Sequence, residues 1–197
     1  MSVWICPDNV CCLAGVDEVG RGALAGDVVA AAVILPANHN IEGLMDSKRL
    51  SVNRRKSLYK EIIDVGGNFA VGHSSAREID DKNILKATLT AMKRAVDALA
   101  IRPDYVVVDG NHLPSWTYRS EALVGGDNLV APISAASVIA KVTRDHHMIL
   151  YDSLYPGYDF ISNKGYGTAT HIEALSALGP TPIHRLSFAP LKDKIEL

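Results

Sequence analysis

The sequence predicts an α/β fold, in which strands and helices alternate along the chain. Two valine-rich apolar runs, at 13–19 and 27–35, have the length and composition of strands. Between 84 and 99, apolar residues recur every three or four positions, which is typical of an amphipathic helix. We expect a single domain over residues 1–197, with a C-terminal helical part of about 150–197 packed on it.

The first half of the chain supplies three predicted strands and two helices. Glycines separate the first two apolar runs, so we expect these strands to pair. Basic and apolar residues recur at helical spacing over 51–65, with Ser51 as the N-cap. An apolar run at 68–74 predicts the third strand, and Pro103 follows the end of the second helix.

The second half begins with a β-branched run at 104–110. It predicts a buried strand that carries Asp109 to the edge of the sheet. Helical spacing follows at 134–150 and at about 168–178. Prolines then interrupt a tail at 179–190, which we expect to pack across the surface.

The predicted helix at 134–150 has two different faces. Alanine, valine and isoleucine occupy one face, whereas Ser137, Lys141 and Arg144 share another. We expect the second face to point at a phosphate backbone if the chain binds nucleic acid.

Four acidic residues are candidates for one catalytic centre. Asp17 and Glu18 end the first strand, directly before the turn Gly20-Arg21-Gly22. Asp109 ends a later strand, and Asp127 lies in a glycine-rich loop before the long helix. Adjacent acids are costly in a folded core unless a cation neutralises them, and four carboxylates suit two hard cations such as Mg²⁺. Two such ions about 4 Å apart promote hydrolysis of a phosphodiester.

Each acid also has an ordinary structural explanation. Strand alternation sends either Asp17 or Glu18 to solvent. Asp109 and Asp127 are both typical of turns, and Asp145 competes with Asp127 as the fourth acid of the centre.

Two other kinds of site are suggested by short motifs. His146 and His147 stand beside an acid, but adjacent helical residues point about 100° apart and share one ion poorly. The spacing Gly20-x-Gly22-x-x-Ala25 resembles a dinucleotide-binding fingerprint, which must open a helix. Here a valine-rich strand and a proline follow, so we expect no such site. A nucleic-acid-binding module without catalysis is a further alternative, which the intact acids oppose.

Composition sets broad limits on function. The chain has 20 basic and 22 acidic residues, a net charge of −2, which permits a polyanionic substrate without demanding one. Three cysteines, Cys6, Cys11 and Cys12, form no zinc pattern, and we expect them to be reduced. No apolar run approaches the roughly 20 residues of a membrane span, and the N-terminus lacks a secretory signal. We therefore expect a cytoplasmic protein without membrane partners.

Seven ordered segments along almost the whole chain resemble one known family. They are GVDEVGRGALAG at 15–26, DSKRLS at 46–51, NILKAT at 83–88, VVVDG at 106–110, ISAASVIAKVTRD at 133–145, GYGTATH at 165–171 and HRLSF at 184–188. This set resembles the bacterial type-two ribonucleases H, the ribonuclease HII family. The resemblance implies a ribonuclease H-like mixed five-stranded sheet flanked by helices, with a C-terminal helical extension.

The resemblance also implies roles for individual residues. Asp17, Glu18, Asp109 and Asp127 match the acids that bind two Mg²⁺ or Mn²⁺ ions and carry catalysis. Gly20, Arg21 and Gly22 match the motif that senses the ribose 2′-hydroxyl, where a side chain on either glycine would keep the main chain from the sugar. Tyr166 matches the tyrosine that packs on the neighbouring deoxyribose. Candidates for phosphate contacts are Lys48, Lys141, Arg144, Lys164 and Arg185.

The implied substrates are RNA/DNA hybrids and duplex DNA that contains ribonucleotides. The implied reaction is hydrolysis of the RNA strand, including a cut on the 5′ side of a single embedded ribonucleotide. The products would carry a 3′-hydroxyl and a 5′-phosphate. We expect a monomer.

Overall fold

The computed structural model describes residues 4–44 and 51–192, which form a sheet covered by helices on both faces. The strands are β1 (Leu13–Val19), β2 (Val28–Ile34), β3 (Asn68–Ser74), β4 (Tyr105–Asp109) and β5 (Ser120–Leu123). The helices are α1 (Val52–Asp64), α2 (Ala76–Lys82), α3 (Ile84–Asp97), α4 (Ala131–Leu154), α5 (Phe160–Asn163) and α6 (Ala169–Leu178).

The five strands form one mixed sheet in the order β3-β2-β1-β4-β5. The pairs β1/β2 and β2/β3 are antiparallel, whereas β1/β4 and β4/β5 are parallel. This arrangement confirms the predicted α/β fold with its mixed five-stranded sheet. It also brings the carboxyl ends of β1, β4 and β5 to the same edge, where ligands bind in open α/β sheets.

The centre of the sheet is buried on both faces. All seven residues of β2, VVAAAVI, are buried, and their small side chains let helices pack closely above and below. The apolar side of α3 covers one face, and α1 and α4 cover the other. Since α4 crosses β1 and β2, the polar positions on its first turns lie beside the end of β1.

The structure contains elements that periodicity did not predict. Helix α2 begins with a capping box, in which Ser75 and Glu78 bond each other's main-chain N–H groups. Strand β5 has the sequence SEAL and no β-branched residue, so its pairing with β4 decides its conformation. Helix α4 begins at Ala131, before the predicted start, because Pro132 is well suited to a first helical turn.

The C-terminal part packs against the far end of α4. One buried apolar cluster joins them. It contains Ala25 from the segment after β1, Met148 of α4, and the C-terminal residues Tyr158, Phe160, Leu175 and Leu191. The tail does not simply cross the surface, because its residues His184 and Arg185 are 2% and 0% exposed. Among the described residues, the helices are all too short or too polar to cross a bilayer.

Candidate active site

Three parallel strands place the predicted acids at one edge of the sheet. The pairing of β1 with β4 ends with Val16 opposite Val108, so Asp17 and Asp109 are the next residues on neighbouring strands. Glu18 follows on β1. A short 3₁₀ turn after β5, Gly126–Asn128, contains Asp127.

Asp17 is the most deeply buried acid of β1, with 6% of its surface exposed. Burial raises its pKa well above the usual range, and the neighbouring charges of Glu18 and Asp109 raise it further. Two hydrogen bonds oppose this shift. The Glu18 main-chain N–H donates to Asp17 Oδ1 at 2.7 Å, and the Ser137 side chain of α4 also bonds the carboxylate.

Glu18 extends from the same strand end towards the glycine-rich turn. Burial raises the pKa of its carboxyl group, Arg21 lowers it, and Asp109 raises it. The guanidinium of Arg21 lies 3.2 Å from Glu18 Oε1, and Arg21 itself is exposed. Asp17, Glu18 and Asp109 therefore interact electrostatically as one acidic cluster.

Asp127 is connected to this cluster through the main chain. The N–H of Gly126 donates to Asp109 Oδ1 at 2.8 Å, which fixes the 3₁₀ turn beside the end of β4. Asp127 is fully buried, and the side-chain amide of Asn128 donates to its Oδ1 at 2.9 Å. Asp145 lies elsewhere: it pairs with Lys141 at 2.7 Å and lines a separate groove between α1 and α4. Geometry therefore favours Asp127 over Asp145.

The donor set suits a hard divalent cation. Carboxylate oxygens are the preferred ligands of Mg²⁺ and Mn²⁺, and carboxylates that raise one another's pKa gain from a cation between them. Within residues 4–44 and 51–192, however, no three acidic, histidine or cysteine side chains already converge as a metal cage. The two adjacent histidines, which we do not expect to share an ion, have different neighbours: His147 Nδ1 lies 3.9 Å from Asp27 Oδ2, and His146 lines the groove of Asp145.

The two glycines of the Gly20-Arg21-Gly22 turn differ in their surroundings. Gly20 is buried with φ of +90°, and a Cβ there would lie 2.2 Å from Nε of Arg144. Packing against Arg144 and the positive φ are enough to require glycine at position 20. Close approach of a substrate is not needed to explain this glycine. Gly22 is exposed, and apart from Gly22 and its two chain neighbours no atom of the described residues lies within 4 Å of the position that a Cβ would take there. The turn continues into β2, which excludes the dinucleotide-binding alternative.

Arg144 does not occupy the exposed face that helical spacing predicted. It is 1% exposed, and its three guanidinium nitrogens donate to the main-chain carbonyls of Ala25, Asp27 and Lys164. The substrate-binding assignment of Arg144 is therefore wrong as a phosphate contact. The side chain lies inward, where each of its three guanidinium nitrogens has a main-chain carbonyl to accept from it.

Arg185 is also internal and supports the glycine-rich turn. It is fully buried, and its guanidinium donates to the carbonyls of Gly20, Arg21 and Gly26 at 2.7 to 3.0 Å. Burial lowers its pKa to about 10, which leaves it charged at neutral pH. The predicted phosphate contact at Arg185 is thus replaced by a contact with the turn itself.

The remaining predicted substrate residues have different placements. Tyr166 is 37% exposed, and Arg144 lies 5.5 Å from the centre of its ring. The preceding carbonyl, that of Gly165, accepts from the main chain of Leu24 and Ala25, so the Tyr166 segment adjoins the turn. Lys141 and Lys164 are partly exposed. Lys48 lies outside the described residues.

Ser137 is a site residue whose role the sequence did not reveal. The helical pattern grouped it with Lys141 on the face expected to meet phosphate, whereas its side chain bonds Asp17. The sequence places Ser137 near the start of α4, but only the packing of α4 on β1 shows that its partner is Asp17.

The sequence of this chain is similar to one family of known proteins. Residues 14–191 match the family model described as ribonuclease HII. The chain is 50% identical over 186 residues to a ribonuclease HII of Coxiella burnetii, which covers 94% of this chain and 92% of the relative.

Solved structures show the same fold. The ribonuclease H2 of Pyrococcus horikoshii OT3 aligns with a TM-score of 0.78 at 27% identity, covering 94% of this chain and 97% of that one. Bst-RNase HIII in complex with Mn²⁺ aligns with a TM-score of 0.70 at 20% identity, covering 94% of this chain and 69% of that one. The chain therefore belongs to the ribonuclease HII family, and it is a nuclease of the ribonuclease H type.

Proposed function

We propose that the chain is an endonuclease that hydrolyses the RNA strand of RNA/DNA hybrids. We further propose that it cuts on the 5′ side of single ribonucleotides in duplex DNA, leaving a 3′-hydroxyl and a 5′-phosphate. The observation that carries this proposal is the position of the acidic cluster. Asp17, Glu18 and Asp109 lie on neighbouring strand ends and interact electrostatically beside the turn in which Arg21 and Gly22 are exposed, so the groups for chemistry and for sugar recognition adjoin.

The acids would hold the metal ions of the reaction. Asp17, Glu18, Asp109 and Asp127 would bind two Mg²⁺ or Mn²⁺ ions, which supply an activated water and stabilise the leaving oxygen. The Mn²⁺ complex of the Bst-RNase HIII structure supports this choice of ion. In this chain Ser137 interacts with the Asp17 carboxylate and lowers its pKa, and Arg21 neutralises part of the charge on Glu18.

The Gly20-Arg21-Gly22 turn and Tyr166 would recognise the sugars of the substrate. A ribose 2′-hydroxyl can reach the exposed main chain at Gly22 because no side chain stands there. The partly exposed Tyr166 ring is available to pack on the next deoxyribose. Lys141, Lys164 and Lys48 would contact phosphates, which adds affinity without sequence preference.

A cleavage panel tests the proposal. The purified chain is incubated with labelled all-DNA duplex, a duplex carrying one ribonucleotide and a long RNA/DNA hybrid, each with Mg²⁺, Mn²⁺ or chelator. We expect metal-dependent cutting of the last two substrates only, with the single cut 5′ of the ribonucleotide. Ligating the two product ends to matching test strands identifies the 3′-hydroxyl and the 5′-phosphate.

Two results would contradict the proposal. Cutting of the all-DNA duplex would remove the role of the 2′-hydroxyl. Tight binding of the hybrid in anisotropy measurements, with no cut under either metal, would instead indicate a nucleic-acid-binding module without catalysis.

A further inference from the structure

Two buried histidines connect the C-terminal tail to the main chain of Tyr166. His171 of α6 and His184 of the tail are 0% and 2% exposed, and their Nε2 atoms lie 3.1 Å apart. His171 Nδ1 lies 2.9 Å from the carbonyl oxygen of Tyr166. His184 Nδ1 accepts the main-chain N–H of Thr181 at 2.9 Å. Neither histidine has a part in the proposed chemistry.

The donors and acceptors fix the direction of this chain of hydrogen bonds. The Tyr166 carbonyl can only accept, so the proton of neutral His171 is on Nδ1 and its Nε2 is an acceptor. At the other end, Nδ1 of His184 accepts from Thr181, so His184 carries its proton on Nε2. His184 therefore donates to His171, and each ring has one possible tautomer.

Burial keeps both rings neutral. It lowers the pKa of His171, and it lowers the pKa of His184 to about 4. At neutral pH the chain of hydrogen bonds is therefore complete from Thr181 through the two histidines to Tyr166.

The chain ends at a carbonyl that has a second donor. The N–H of Thr168 also bonds the Tyr166 carbonyl, at 2.8 Å, so the main chain that carries the exposed ring is held from two sides. The residue next to His184 is Arg185, which donates to the carbonyls of Gly20 and Arg21. One short tail segment thus contacts both parts of the chain that face the proposed substrate.

Packing alone does not require this arrangement. The rings of Tyr158 and Phe160 surround the pair, with centroids 5.2 Å from His184 and 5.3 Å from His171. In such an aromatic cage an apolar side chain fills the space without any polar group to satisfy. What the two histidines add is a defined geometry between the tail and Tyr166.

We propose that His171 and His184 are positioning residues that set where the Tyr166 ring stands relative to the Gly20-Arg21-Gly22 turn. They thereby determine the preference for a ribonucleotide followed by a deoxyribonucleotide over a continuous RNA strand. This inference rests on the role proposed for Tyr166 above.

Three substitutions separate positioning from packing. His171→Asn keeps a side-chain N–H donor close to the position of Nδ1, so it retains the bond to Tyr166 and loses only the one to His184. His171→Leu loses both. Tyr158→Phe is the matched control, because it removes a partly buried hydrogen bond to the carbonyl of Gly179 from the same cage and leaves the contacts of Tyr166 in place.

The readout is the ratio of kcat/KM on the single-ribonucleotide duplex to kcat/KM on the long hybrid. We expect His171→Leu to lower this ratio about tenfold, because a small displacement of a substrate-positioning group has effects of that order or larger. His171→Asn should restore most of the ratio, and Tyr158→Phe should leave it unchanged. In a Tyr166→Ala background, His171→Leu should change the ratio no further.

Any of the following results would overturn the inference. If Tyr166→Ala lowers the ratio and His171→Leu does not, the positioning role fails while the proposed function stands. Equal losses on both substrates, or additive losses in the double variant, would indicate a purely structural role. If Tyr166→Ala keeps the ratio, the role of Tyr166 and this inference fall while the proposed cleavage stands. If the wild-type chain cuts neither substrate, the proposed function and this inference fall together.

A measurement on the wild-type chain applies even if His171→Leu fails to fold. Long-range ¹H–¹⁵N spectra at neutral pH should show the Nδ1–H tautomer for His171 and the Nε2–H tautomer for His184. The opposite tautomer at either residue would break the chain and overturn the inference.

Discussion

The same substitution two residues apart should have opposite consequences in the glycine-rich turn. Gly20→Ala introduces a methyl group 2.2 Å from Nε of Arg144, at a residue whose φ is +90°. Gly22→Ala introduces one into open space, at a residue outside the left-handed region. We therefore expect the first change to reduce stability and the second to reduce cleavage.

The magnitudes follow from the contacts that each methyl group would disturb. At Gly20, left-handed backbone costs an alanine about 1–2 kcal/mol. Displacing Arg144 also disturbs a buried guanidinium with three carbonyl partners, and each bond to a charged group contributes about 1.5–3 kcal/mol. We expect the free energy of unfolding to fall by roughly 3 kcal/mol or more. At Gly22 the change should stay within about 0.5 kcal/mol.

Two assays separate the effect of each variant on stability from its effect on cleavage. Urea unfolding gives the stability of each variant, and single-turnover cleavage of the single-ribonucleotide duplex gives the rate. Gly22→Ala should unfold like the wild type and cut at least about 100-fold more slowly, because the methyl group keeps the sugar from the main chain. Wild-type cleavage by Gly22→Ala, or equal losses of stability in both variants, would refute this reasoning.

Three further predictions concern neighbouring groups. Tyr166→Ala should slow cutting at a ribonucleotide–deoxyribonucleotide step about tenfold; thermal stabilisation by Mn²⁺ should be unchanged, and a loss of that stabilisation would contradict the assignment. Arg185→Lys should lower the urea-measured stability by about 3 kcal/mol, since a single ammonium cannot reproduce the planar fork from which the guanidinium nitrogens reach three separate carbonyls; an unchanged midpoint would count against this supporting role of Arg185. The pKa of His184 falls from 6.5 unfolded to about 4 folded, so the unfolded chain binds this proton first and stability is lost as pH falls through that window. Wild type should lose up to about 3 kcal/mol more than His184→Gln between pH 6.5 and 4 in urea titrations, and identical losses would refute it.

Local patterns predicted most of what positions the acids. The valine-rich runs and the helical spacing depend on burial of one face or both, which the sheet and helices of the structure reproduce. Asp17 and Asp109 end strands in the sequence and lie side by side at the sheet edge. The mixed five-stranded sheet was implied by the family resemblance, because local sequence does not encode pairing between strands far apart in the chain, such as β1 and β4.

Other features depend on contacts between distant segments. Arg144 and Arg185 look like surface cations in sequence, yet each finds main-chain carbonyls more than a hundred residues away. The need for glycine at position 20 follows from Arg144 and not from its neighbours in the chain. Strand β5 forms because β4 offers it an edge, although its own residues have little strand propensity.

The most direct test of the catalytic centre compares two asparagine substitutions. Asp17→Asn removes one charge from the acidic cluster, whereas Asp145→Asn removes one from a pair with Lys141 in a separate groove. On the single-ribonucleotide duplex with Mg²⁺, we predict that Asp17→Asn cuts at least about 1,000-fold more slowly while staying folded. Asp145→Asn should remain within about threefold of the wild type, because partly exposed ion pairs contribute little. Activity retained by Asp17→Asn, or lost in Asp145→Asn alone, would contradict the location of the active site.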